Sequence, residues 1–139
     1  MTKIEFVNPA EMGPSQGLYS QIVIHKEAHV AYISGQVSID ENGDFVGEGD
    51  YEKQTEQILN NIGKALDYLG EGWASVLKLT TFLTSEEGLP GFGAARRRLF
   101  DTEFPTGAFP AHTLMIVAGL SQPHHLVELE AVVAYSGNQ

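Results

Sequence analysis

Two residues able to move protons sit in apolar surroundings near the end of this 139-residue chain. His112 opens one apolar stretch, Phe109-Pro-Ala-His-Thr-Leu-Met-Ile-Val-Ala-Gly-Leu120. Glu130 lies inside a second, Leu126-Val-Glu-Leu-Glu-Ala-Val-Val-Ala134. A carboxylate is costly to bury, and partial burial lifts its pKa toward neutrality, where general acid–base catalysis works. A histidine titrates near that range unaided, at roughly 6.5. Glu130 is therefore the candidate catalytic residue and His112 a candidate ligand contact. Two plainer roles stay open: a strand carboxylate that faces solvent or a neighbouring subunit, and a hydrogen-bonded interface histidine.

Other polar clusters carry less. His124-His125 follows Pro123, but adjacent loop histidines point apart and no third ligand sits at metal spacing, so no metal is expected. Arg96-Arg97-Arg98 reads as a solvated helix face, with a charge from it able to reach a cleft. No serine occupies a Gly-x-Ser-x-Gly turn, and no glycine loop of the phosphate-cradling kind occurs. The chain has no cysteine, which removes disulfides, thiolate nucleophiles and cysteine-bound zinc. The formal charge of −10 disfavours nonspecific contact with phosphate backbones, so no nucleic-acid partner is expected. The N-terminus lacks a secretory apolar core and no stretch reaches membrane-spanning length. The expectation is a cytoplasmic protein with no membrane partner.

The elements that must position these residues follow from pattern. With 42% apolar and 19% charged residues, the chain reads as one globular domain over 1–139. Residues 1–18 hold Pro9, Gly13, Pro14 and Gly17 and read as an irregular lead-in. Gln21–Lys26 and Val30–Ser34 are short strands of a hairpin, and Gly35 allows close approach of backbone or ligand. Asp50 caps a helix whose Ile58, Leu59, Ile62, Ala65, Leu66 and Leu69 share one face, and Gly70 stops it. Val76–Leu83 reads as a strand, and a second helix runs from about Pro90 to Pro105. Leu114–Ala118 is an unbroken apolar run, expected to be a strand buried on both faces. In the last strand Val127, Leu129, Ala131 and Val133 alternate with Glu128 and Glu130.

The order is β-β-α-β-α-β-β, an α+β domain with one sheet and two helices on one face. Two helices cover one face only, yet the strands are apolar on both. A second copy of the chain is the economical cover, so a homo-oligomer is expected.

The residues Gly17-Leu-Tyr19-Ser-Gln, Ile33-Ser-Gly-Gln36, Val76-Leu-Lys-Leu-Thr-Thr-Phe-Leu83, Phe109-Pro-Ala111 and Val127-Glu-Leu-Glu130-Ala occur in this order across nearly the whole domain. In that arrangement the chain resembles the YjgF/Rid family of reactive-intermediate deaminases, also labelled L-PSP endoribonucleases. The resemblance implies a chorismate-mutase-like fold assembled as a homotrimer with ligand clefts between subunits. It implies hydrolysis of 2-imino acids or their enamine tautomers without metal or cofactor. Glu130 matches the family's acidic cleft residue, which holds the hydrolytic water. Tyr19 and Ser34 match ligand contacts, with the backbone at Gly35 beside them, and Phe109 supplies an apolar wall. Where the family places a carboxylate-gripping arginine, this chain has His112, and the family's helix asparagine aligns with Gly93. An arginine offers a fixed charged fork that a neutral histidine does not. The exchange points to a substrate other than a simple 2-imino acid, or to weakened activity. A different class of function stays open beside the deaminase: a non-catalytic trimer that binds a small metabolite and returns it unchanged. A ribonuclease or translation inhibitor ranks behind both.

Overall fold

The computed structural model describes residues 3–137. Its long helix, α1 (Tyr51–Leu69), begins where Asp50 accepts a hydrogen bond from Lys53 N at 2.9 Å. It ends at Gly70, whose φ of 70° is the left-handed conformation glycine reaches at least cost. The apolar stripe expected from the sequence is buried as a unit: Ile58, Leu59, Ile62, Ala65, Leu66 and Leu69 all face the core. Helix α2 (Leu89–Glu103) packs beside it with Pro90 in its first turn, where the missing N–H is harmless.

Six strands form one mixed sheet: β1 (Ile4–Val7), β2 (Ile22–His25), β3 (Val30–Gln36), β4 (Val76–Leu83), β5 (Ala111–Ile116) and β6 (Val127–Ala134). Their order is β1-β2-β3-β6-β4-β5, antiparallel throughout except for the parallel β4–β5 pair. The chain therefore has one strand more than the sequence reading. Ile4–Val7 lies inside the expected irregular lead-in and pairs with β2, a short alternating segment whose signal is weak beside Pro9.

The helices cover one face. Ile22, Ile24, Ala31, Ile33, Leu79, Leu83, Leu129, Ala131 and Val133 join the α1 stripe and Phe92 of α2 in one buried cluster. The opposite face carries a cross-strand row, Phe6–Val23–Tyr32–Val132–Lys78, that runs over β1, β2, β3, β6 and β4. Among the described residues nothing lies over it: Phe6 is 67% exposed and Tyr32 51%. The strand expected to be buried on both faces, β5, is instead the sheet's outer edge. It spans Ala111–Ile116 where the apolar run is Leu114–Ala118, and Met115 and Ile116 are 41% and 45% exposed. An apolar run records which residues avoid water; it does not say whether their own chain or another supplies the cover. Among the described residues no helix is long and apolar enough to cross a membrane.

Candidate active site

The expected site residues other than Glu130 fall into two cavities, on opposite faces of the sheet. The first, of about 410 Å³, is lined by Tyr19, Ser34 and Gly35 together with Gln16, Gln122, His125 and Glu128. Its acid is Glu128. Glu130, expected to be the catalytic carboxylate, is exposed and lies outside this cavity. Both glutamates point to the open face of β6, since they alternate with buried Leu129 and Ala131. The choice between them is made by β3. Its pairing with β6 slips between Ile33, opposite Ala131, and Gln36, opposite Leu129, so that Ser34 and Gly35 form an irregularity in the register between those pairs. Bulges of this kind re-aim side chains at sites. The Glu128 carboxyl lies directly over Gly35: a Cβ there would overlap its Oε2 and come within 2.9 Å of its Cδ. Burial, and after it the neighbouring Glu130, pushes the Glu128 pKa above the usual carboxylate value.

The other cavity groups are held by local bonds. Ser34 Oγ donates to the Ser20 carbonyl. A carbonyl only accepts, so the Ser34 oxygen turns lone pairs toward the cavity. Tyr19 Oη accepts from Gln16 N at 3.2 Å, which leaves its O–H free to donate. The loop above the cavity is tied to α1 by buried Gln54, which donates to the His124 carbonyl at 3.1 Å and accepts from Leu126 N at 2.9 Å. His125 is buried on that loop, and burial followed by His124 holds its pKa down, so it is neutral at pH 7. Its partners are aromatic: the Phe45 ring lies 5.7 Å away and the His124 ring 4.5 Å. Among the described residues no group of three or more metal-ligating side chains occurs.

The second cavity, of about 700 Å³, lies between α2 and the start of β5. It is lined by Phe109 and His112 with Gly93, Arg96, Arg97 and Phe100 among others. Phe109 stacks on Phe100 at 5.8 Å and forms the expected apolar wall, but in this cavity and not beside Glu128. His112 sits on the helix side of the sheet. Its Nε2 lies 2.9 Å from Thr81 Oγ1, its ring is parallel to Phe92, and its Nδ1 lies 3.3 Å from Arg96 Nη1. Guanidinium only donates, so Nδ1 is the acceptor and Nε2 carries the proton toward Thr81. Burial against Phe92, and then the charge of Arg96, lowers the His112 pKa, which keeps the ring neutral. Within one chain residues 112 and 130 lie on opposite faces of the sheet, as strand alternation requires.

Two cavity residues escaped sequence reasoning. Glu128 had a signal, a second carboxylate on the same strand face, but alternation cannot rank the two. His125 had none beyond its residue type. Arg96 was anticipated only as one of an arginine triplet able to send a charge into a cleft.

Residues 11–135 match the family model described as Endoribonuclease L-PSP. A 2-iminobutanoate/2-iminopropanoate deaminase of Mus musculus is 32% identical over 124 residues, covering 89% of this chain and 83% of the relative. A putative regulator, AldR, of Lactococcus lactis is 36% identical over 102 residues, 73% of this chain and 75% of the relative. Among solved structures, a putative endoribonuclease of Thermotoga maritima superposes with a TM-score of 0.81 at 29% identity, covering 96% of this chain and 98% of that one.

Proposed function

Since the chain belongs to the endoribonuclease L-PSP family, the YjgF/Rid proteins, we propose that it is a hydrolytic deaminase of small imines or enamines, with Glu128 in the acid–base role first given to Glu130. The observation that carries this reading is the Glu128 carboxyl, half-buried in a cavity beside Gly35 with its pKa raised. A carboxyl poised nearer neutrality both takes and returns a proton at pH 7. Water adds to the imine carbon while Glu128 takes one of its protons. Glu128 then returns that proton to the nitrogen to give a neutral carbinolamine; it next takes the proton of the new hydroxyl and passes it to the amine, and the C–N bond breaks to leave a carbonyl and ammonia. The net change is imine plus water to carbonyl plus ammonia, with no electrons exchanged. Ser34 Oγ, an acceptor, suits the imine N–H, and the Tyr19 hydroxyl is free to donate to the attacking or departing group.

The reading includes self-association. One copy's Glu128 cavity needs a counterpart, and the uncovered Phe6–Tyr32 row and the bare β5 edge are where a second copy would dock. A homotrimer, as the family resemblance implies, would bring the Glu128 cavity of one copy against the Arg96–His112 cavity of the next. Burying the exposed parts of Phe6 and Tyr32 is worth about 2–4 kcal/mol per copy before association costs. The alternative, a binder without turnover, is separated by the same assay.

The test generates imino acids in situ with an amino-acid oxidase and follows their loss. The wild-type chain should accelerate hydrolysis and Glu128→Gln should not. Light scattering should give a trimer at micromolar concentration. No acceleration with imino acids or with uncharged imines, together with a ligand recovered unchanged, would establish the binding reading instead.

A further inference from the structure

Of the three consecutive arginines on α2, Arg98 is fully engaged, with Nη1 2.7 Å from Glu52 and Nη2 3.2 Å from Glu56. Arg97 is exposed. Arg96 differs from both. It is half-buried, its guanidinium lies 4.9 Å from the Phe92 ring centroid and 5.9 Å from that of Phe100, and among the described residues no carboxylate stands within ion-pair distance of it. A guanidinium has five N–H donors. Among the described residues, the one side chain that Arg96 hydrogen-bonds is His112, at Nδ1. A cation withdrawn from water onto two rings, with most of its donors unused and a cavity of about 700 Å³ beside it, is built to receive an anion.

The neighbours fit that use. Gly93, one turn before Arg96, leaves open space: a Cβ added there meets nothing within 4 Å. Phe109 stacks on Phe100 to give an apolar wall. Asp101 lines the same cavity and would repel an anion on its side, which restricts the bound pose to the Arg96 side. Neutral His112, anchored by Thr81, accepts from Arg96 and so fixes the fork's orientation.

We propose that Arg96 is the residue that anchors the carboxylate of this protein's ligand, with His112 as a positioning residue that aims it. The chain has not lost a charged fork at position 112; it presents one from helix α2, and its ligand is a small carboxylic acid with an apolar body. The proposal rests on the cleft reading above for its connection to turnover, but not for binding itself.

The experiment measures affinity of the full chain for 2-oxobutanoate and for its uncharged amide, 2-oxobutanamide, by calorimetry. Arg96→Met should weaken the keto acid at least about 30-fold, the scale of a lost buried charge contact, and leave the amide unchanged. Arg98→Met should change neither. His112→Phe keeps the stack on Phe92 but removes the acceptor; it should raise KM for an imino acid by a larger factor than it raises KM for an uncharged imine. Should Arg96→Met disturb folding, Arg96→Lys keeps the charge without the fork and should give an intermediate loss. The double variant Arg96→Met with His112→Arg should recover keto-acid affinity. Equal losses for acid and amide, no loss, or a wild-type chain that binds neither would overturn the proposal. A chain that binds the keto acid through Arg96 yet hydrolyses no imine would overturn the deaminase reading and leave this one standing.

Discussion

The cavity around Glu128 and the cavity around Arg96 withdraw opposite charges from water by different means. Glu128 is held on a strand, by a glycine that makes room and a second carboxylate that repels it. Arg96 is held on a helix, by two aromatic faces and a neutral histidine. The first half can handle protons and an N–H but has no cation for a carboxylate. The second can grip an anion, and its carboxylate, Asp101, is exposed rather than withdrawn from water as Glu128 is. The two cavities lie on opposite faces of one sheet. The difference teaches that, on the proposed reading, one copy by itself does not bring the two charges to one ligand, and the second copy of that reading would have to.

The largest expected effect breaks the proton-handling half. Glu128→Gln should lower imine hydrolysis by about 10²–10⁴-fold, the range for a lost general acid–base, while Glu130→Gln stays within a few-fold of wild type. Equal losses in the two variants would return the role to Glu130 or spread it over both. Next comes Gly35→Ala. Gly35 is not among the positive-φ residues, so its backbone accepts alanine, but the added Cβ must displace the Glu128 carboxylate. Activity should fall about 100-fold through misplacement, with the melting temperature little changed. A crystal structure of that variant with Glu128 unmoved would refute the mechanism.

A smaller effect sharpens the comparison through pH. The folded-state pKa of Glu128 is raised, so below the unfolded value, roughly 4.3, the protonated acid carries no burial penalty. As pH rises through the raised value, folding must hold a desolvated charge and stability is lost. Glu128→Gln should therefore melt higher than wild type at pH 8, with the gain shrinking to nothing as pH falls below about 4. Thermal melts across that range decide it; a gain that is flat with pH would mean amide packing rather than charge. Least of all, Arg98→Met should leave hydrolysis unaltered and shift melting slightly, because its pairs with Glu52 and Glu56 are exposed and surface pairs contribute little.

Much of this molecule was legible in its residues. Asp50, the Ile58–Leu69 stripe and Gly70 specify α1 with its start, buried face and end, because caps and 3.6-residue periodicity act within a few residues. The alternation of β6 likewise puts both glutamates on the face away from the helices. Strand β1 was hidden, since four residues beside Pro9 give too short a pattern, and only the partner β2 makes them a strand. The apolar run of β5 was read as interior because hydrophobicity cannot tell a core from an interface.

What the sequence determined by itself was local: which segments are helix or strand, which face each buries, and that acid, base and cation types are present. The fold alone decided which of them act together. Glu128 and Glu130 are two residues apart on one strand face, about 7 Å, and no periodic signal separates them. The slip of β3 at Ser34–Gly35 and the loop tied down by Gln54 do. Arg96 and His112 are 16 residues apart, on a helix and a strand, and their contact exists because α2 crosses back over the parallel β4–β5 pair. Pairing across such separations is set by how whole elements pack, information that no short stretch of chain contains.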